Sequence, residues 1–244
     1  MEDKPVDDKI FFKKRMSVEK RREQIIKTAR RLFSERGFRG TTTRELAKAA
    51  GISEALLFRH FASKLDLYRA MLEDWIVPSP DDQIYEIVKL ELGPERMIAG
   101  IYNLMYAVIG AVVREDTDEI QKNRLIYQSL LSDGALAKVF YDKLPKNGYN
   151  DICACMEVMY KSGEADRVVD NMYVPIAAAL HMATATQIMM NRPNYLDIYE
   201  MDISTFIRNL TVCALLAFGI HIDVIHKYLP DIEKKYGAGL QPES

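Results

Sequence analysis

Cysteine is scarce in this chain of 244 residues: three occur, at Cys153, Cys155 and Cys213. The odd count excludes a disulfide framework and reads as a reducing, cytoplasmic compartment. The Cys153-x-Cys155 pair lacks both the two-residue gap and the second ligand cluster of a zinc site, so no metal or cofactor is expected. Histidine is nearly as rare. His60, His181, His221 and His226 form no HExxH, and neither a glycine-rich phosphate loop nor a GxSxG elbow occurs. Without a converging nucleophile, base and metal set, no enzyme is expected and no catalytic residue is named. Strand-like alternation, internal repeats and low-complexity tracts are missing too. The N-terminal MEDKPVDDKIFFKKR has no apolar core, so it is not read as a secretory signal. The most apolar runs, Ile176–Met190 and Val212–Ile222, fall short of the roughly 20 residues that cross a bilayer. They read as buried helices of a soluble protein, and no membrane partner is expected.

What the chain does have is an uneven charge. Overall it carries a net −2, but Lys9 to Lys64 holds 16 Lys and Arg against 5 Asp and Glu, a net +11. The remainder is therefore −13. Such a split is expected when one module meets a polyanion and the other does not; the alternative is a basic, solvated face.

Helix signals are dense in the basic part. Residues 1–16 read as a flexible arm. Ser17 is placed as the N-cap of a helix to Arg36, with Glu19 in its first turn and Gly37 just past its end. Ile25, Ala29, Leu32 and Phe33 form its buried face, and Arg22, Lys27 and Arg30 the opposite one. Thr42-Thr43-Arg44-Glu45 spells a capping box. A short helix with Leu46, Ala47 and Ala50 inward then ends at Gly51. After the Gly51-Ile52-Ser53 turn, Ser53 caps a second short helix, Glu54 to Phe61, with Leu57 and Phe61 on one face. Two short helices about a tight glycine turn make a helix-turn-helix. Ser63-x-x-Asp66 opens a fourth helix through Trp75, and Val77-Pro78-Ser79-Pro80-Asp81-Asp82 breaks the pattern.

Beyond that break the spacing predicts helices alone. Pro94 stands at the first turn of one running to Arg114. Others are expected over Glu119–Leu131, Gly134–Leu144, Tyr149–Lys161, Asn171–Asn191 and Met201–Tyr228, with Arg192-Pro193-Asn194 between the last two. Pro175 marks a late start or a bend in the penultimate helix.

Thr41–Met71, TTTRELAKAAGISEALLFRHFASKLDLYRAM, resembles the DNA-binding signature of the TetR family of regulators. The Thr-Thr-x-Arg opening, the Leu-Ala-x-x-Ala-Gly-Ile-Ser turn and the Leu-Phe-Arg-His-Phe…Ser-Lys-x-Asp-Leu ending carry the resemblance. Together with Leu32-Phe33…Gly37-Phe38 it covers about residues 20–71. It implies an all-α fold: an N-terminal three-helix helix-turn-helix domain plus a larger C-terminal helical ligand-binding and dimerisation domain. The corresponding boundaries are 17–64 and 65–236, with helix 65–77 bridging them and a tail at 237–244. Members of the family most often repress transcription and leave DNA when a small molecule binds.

On that reading the helix from Glu54 is the recognition helix, and the partner is a double-stranded DNA operator. Ser53 caps it, and Glu54, Ala55, Leu56 and Arg59 are its groove-facing candidates. Arg59 is expected either to reach guanine O6 and N7 or to hold a phosphate. Ala55 and Leu56 offer apolar contact, for example to a thymine methyl. Glu54 either accepts from cytosine N4 or stays at the positive helix end. Thr43, Arg44, His60 and Lys64 occupy family positions that commonly meet the backbone, with packing at the helix end the alternative for His60. Phe58 is also among the DNA-binding candidates; it sits where tyrosine is common, so no hydroxyl is offered there, and between core and stacking platform it reads as core.

A palindromic site calls for a homodimer. Ala177, Ala178, Ala179, Ala183 and Ala185, with Ala214, Ala217 and Gly219, permit close helix approach; Leu180, Ile188, Leu215 and Leu216 add apolar area. For the small-molecule effector, expected to be mainly apolar or aromatic, the pocket candidates are Trp75, Tyr102, Tyr106, Tyr127, Met156, Tyr160 and His181, with ordinary core as the competing reading for each. The alternative function is a DNA-binding regulator controlled by a protein partner or lacking an effector.

Overall fold

A computed structural model describes residues 16–76, 83–131, 134, 146–190 and 199–237, with 74–76 and 146–147 described as backbone only. Among them are eleven helices and no strand, an all-α fold apart from an isolated Ala165–Ile220 bridge. The expected arm, the Val77–Asp82 break, the body of the helix expected at Gly134–Leu144 and the Arg192-Pro193-Asn194 separator lie outside the described residues. The chain divides into two compact units between Met71 and Leu72.

The first unit holds α1 (Val18–Arg36), α2 (Thr43–Ala49), α3 (Glu54–His60) and the start of α4 (Lys64–Ile76). Each begins at a side-chain cap. Ser17 accepts the Lys20 amide, Thr42 that of Glu45, Ser53 that of Leu56 and Ser63 that of Asp66. These caps take up amides that no helical carbonyl reaches. The core gathers Ile25, Ala29 and Phe33 from α1, Leu46 and Ala47 from α2, and Leu57, Leu67 and Tyr68. Phe33, Phe38 and Tyr68 meet ring to ring at 5.0–5.8 Å. Burying each such ring contributes about 1.5–3 kcal/mol.

The second unit is organised around α6 (Pro94–Val113), flanked by α5 (Ile84–Ile87), α7 (Thr117–Leu130), α8 (Lys146–Ser162), α9 (Tyr173–Met190), α10 (Ile203–Ala217) and α11 (Ile222–Tyr236), all of which pack on it. Centrality follows from composition, since Ile98, Ala99, Met105, Ile109 and Ala111 of α6 are completely buried. Among the described residues α6 is also the one helix long and apolar enough to cross a membrane, and 61% of that stretch is buried within the protein. Pro175 stands in the first turn of α9, where its missing N–H costs nothing.

One expectation is overturned. Met201–Tyr228 is not a single helix: α10 ends at Ala217, and α11 starts at Ile222 and runs on to Tyr236. The break is set by a distant segment. The Asp166 amide donates to the Gly219 carbonyl at 2.9 Å, and the His221 amide to the Glu164 carbonyl at 3.0 Å. Gly219 has φ 86°, and a Cβ there would lie 2.1 Å from the Asp166 carbonyl oxygen. Only glycine fits both demands. The short α5 was not foreseen, and α7 and α8 start two or three residues before their expected first residues, within ordinary boundary scatter.

Candidate nucleic-acid interface

At about 100° per residue, the seven residues of α3 spread almost evenly around the helix. Leu57, with Phe61 just beyond the helix, is buried against the first unit. Phe58, Ala55 and Arg59 fall within one arc about 100° wide, with Phe58 at the edge nearer the buried face and Arg59 at the far edge, and all three are exposed. Glu54, Leu56 and His60 stand half-buried at its edges. The reading of Phe58 as core is overturned, since the side chain is 45% exposed. Its position one residue past Leu57 turns it outward, and helical periodicity outweighs residue type here.

The neighbours of α3 hold it in place. The turn before it needs Gly51 at φ 66°, and the Ile52 amide closes back on the Ala47 carbonyl at 3.0 Å. The Thr43 hydroxyl donates to the Glu54 carboxylate at 3.2 Å, which ties the start of α3 to the start of α2. At the other end the Arg22 guanidinium donates to the His60 carbonyl at 3.2 Å and lies 4.4 Å over the Phe61 ring. A cation there suits the negative end of the helix. Arg22, expected on the face of α1 away from the core, thus braces α3.

Lys64 also departs from its expected place. Its ammonium donates to the Phe38 and Thr41 carbonyls at 2.8 and 2.9 Å and rests 4.2 Å from the Phe38 ring. Burial lowers its pKa from the usual lysine value. Its charge is turned onto the α1–α2 connection. Arg36 is engaged as well, pairing with Glu45 at 2.7 Å. Hydrogen bonds from the Thr42 amide and hydroxyl, then the Arg36 charge, hold the Glu45 carboxyl below its usual range. Part of the +11 is thus internal bracing. Arg44, Lys48 and Arg59 remain exposed.

Of the expected pocket residues, Tyr102, Tyr106 and Met156 meet in the core of the second unit. The two tyrosine rings lie 6.2 Å apart, with the Arg114 guanidinium 4.8 Å over Tyr106. Tyr160 packs at the edge of that core beneath Arg167. Tyr127 is half-buried on α7, while His181 is exposed on α9 and so does not line an interior. The Trp75 side chain lies outside the described residues. Sequence reasoning missed Gln187, which is fully buried: its Nε2 donates to the Val108 carbonyl at 2.6 Å and its Oε1 has no partner. A lone amide inside the apolar run Ile176–Met190 was the available signal. Also missed was a half-open groove of about 470 Å³ between α10 and α11, walled by the Arg208–Glu233 ion pair and including His226 and Pro230.

Residues 25–71, the stretch that builds this helix-turn-helix, match the model for bacterial regulatory proteins of the tetR family. Through these residues the chain is similar to the TetR family of regulators. The HTH-type transcriptional repressor KstR2 of Mycobacterium tuberculosis is 33% identical over 95 residues, 38% of this chain and 46% of that repressor. The chain spans under half the length of the relatives it matches in sequence. Among solved structures, Salmonella enterica GusR superposes with a TM-score of 0.53 at 18% identity, covering 83% of this chain and 97% of that one. AibR, solved with isovaleryl coenzyme A and operator DNA, gives 0.51 at 22% identity over 69% of this chain and 86% of its own. At those identities the likeness is one of fold.

Proposed function

We propose that this protein is a ligand-responsive transcriptional repressor of the TetR family that acts in the cytoplasm and binds a palindromic operator as a homodimer. The observation that carries the reading is the exposed Phe58–Ala55–Arg59 arc on a capped and braced α3, within the basic third of the chain. α3 enters the major groove with this arc toward the bases, and Arg59 makes the guanine contact. Arg44 at the start of α2 meets the phosphate backbone, with Thr43 and His60 beside it as positioning groups.

Dimerisation is assigned to α9 and α10. α9 has no distinct polar face and leaves Tyr173, Val174 and Met189 exposed, while α10 exposes Leu216. A mainly apolar helix without a polar face is expected to be covered by a neighbour. The effector is a small, mainly apolar or aromatic molecule held in the second unit near Tyr102, Tyr106 and Met156. Its binding favours a conformer with α4 displaced, in which the paired recognition helices no longer fit successive grooves. The solved AibR complex, with isovaleryl coenzyme A and operator DNA, supports control by a bound small molecule.

Selection of bound fragments from random DNA tests the proposal, with an inverted repeat as the expected product. Arg59→Ala should cost about 30-fold or more on the selected site, because both subunits lose a bidentate base contact of about 1–3 kcal/mol. Leu216→Glu should shift sedimentation from dimer to monomer. The absence of salt-sensitive binding to any duplex by the folded protein would overturn the assignment.

A further inference from the structure

On the exposed arc of α3, Arg59 offers five donors and Ala55 a single methyl, leaving a large apolar ring, Phe58, facing outward beside them. A single exposed apolar side chain on a soluble protein is ordinary. Here it stands 45% exposed on the same arc as the exposed Arg59, within the most basic stretch of the chain. Phe58 has no hydrogen-bonding atom on its side chain, so it can neither bond a phosphate oxygen nor read a donor or acceptor pattern. In the major groove one base presents a carbon surface, thymine, through its C5-methyl group.

We infer that Phe58, with the small Ala55 beside it leaving room for the groove floor, is a specificity-determining residue that packs on a thymine methyl in each half-site. This rests on the DNA-binding reading and sharpens it: the half-site contains a thymine recognised by carbon contact, next to the position contacted by Arg59. Leu56, half-buried at the edge of the arc, is assigned no such contact.

Duplexes selected from random DNA supply the probe, and each thymine of the half-site is replaced in turn by deoxyuridine, which deletes only the methyl. The wild-type protein should lose about fourfold in affinity at one thymine per half-site, and about fifteenfold when both half-sites are changed, the value of one buried methyl each. In Phe58→Ala that loss should vanish, because cognate and uracil-containing duplexes then bind alike. Phe58→Leu, which keeps an apolar side chain, should retain part of it. The exposed position lets all three proteins fold, which thermal unfolding verifies. If no thymine is sensitive, or if Phe58→Ala weakens every duplex equally and leaves the uracil penalty intact, the inference fails while DNA binding stands. If no duplex is bound at all, the DNA-binding reading fails with it.

Discussion

The two compact units delimit their helices by different means. In the first, four successive helices start at a serine or threonine whose hydroxyl accepts an amide three residues ahead. In the second, local caps serve α7 and α10 through Asp116 and Asp202, but the break between α10 and α11 is held from afar. His221 and Asp166, 55 residues apart, face each other at 3.0 Å, and their backbones cross at Gly219. A cap written within four residues survives a change in its surroundings; a break clamped by another segment exists only once the unit is packed.

That contrast can be broken by substitution. The largest effect is expected for Gly219→Ala, where the left-handed backbone and the Asp166 carbonyl both oppose a side chain. A loss of about 3–5 kcal/mol in urea unfolding should follow. A loss below about 1 kcal/mol would mean that the clamp yields and the break is not sterically set. Next comes Lys64→Met, which removes two hydrogen bonds to carbonyls but keeps the stem; it should destabilise the first unit by about 1–2 kcal/mol and leave the salt dependence of DNA binding unchanged. A salt slope lower by about one, with stability intact, would return Lys64 to the phosphate backbone. Gly51→Ala meets nothing within 4 Å, so only its φ of 66° resists, at about 1 kcal/mol. A loss there as large as at Gly219 would erase the distinction between local and clamped breaks.

The smallest effect concerns Tyr102, whose phenol burial pushes up to about 12. The native state keeps this proton when the unfolded chain, titrating near 10, has lost it. The associated stability is complete below pH 10 and disappears as pH rises from 10 to 12. Tyr102→Phe should flatten that alkaline decline in unfolding free energy; an unaltered slope would show the phenol to be wet.

How much was legible follows the same division. Capping boxes, the glycine turn and the spacing of Ile25, Ala29, Leu32, Phe33, Leu57 and Phe61 placed α1 to α4 within a residue or so, because each signal acts between near neighbours. The inward turn of Lys64 was not legible, since its partners Phe38 and Thr41 lie more than 20 residues away. Nor was the exposed position of His181, because the apolar residues of α9 are not confined to one side and periodicity has nothing to select. Phe58 was misread for another reason: the seven residues of α3 already carried its outward position, and residue type was weighed above spacing.

Sequence alone determined that this chain is helical, that its basic third forms a capped helix-turn-helix, and which short helix carries the exposed arc. Hydroxyl caps and 3.6-residue periodicity operate over a few residues and so can be read from order. The tertiary structure alone decided where α10 stops, which cations brace the fold and which stay exposed, and that Gln187 is buried with one oxygen unpartnered. Those outcomes depend on atoms brought together from distant positions, where packing geometry rather than local preference selects the arrangement.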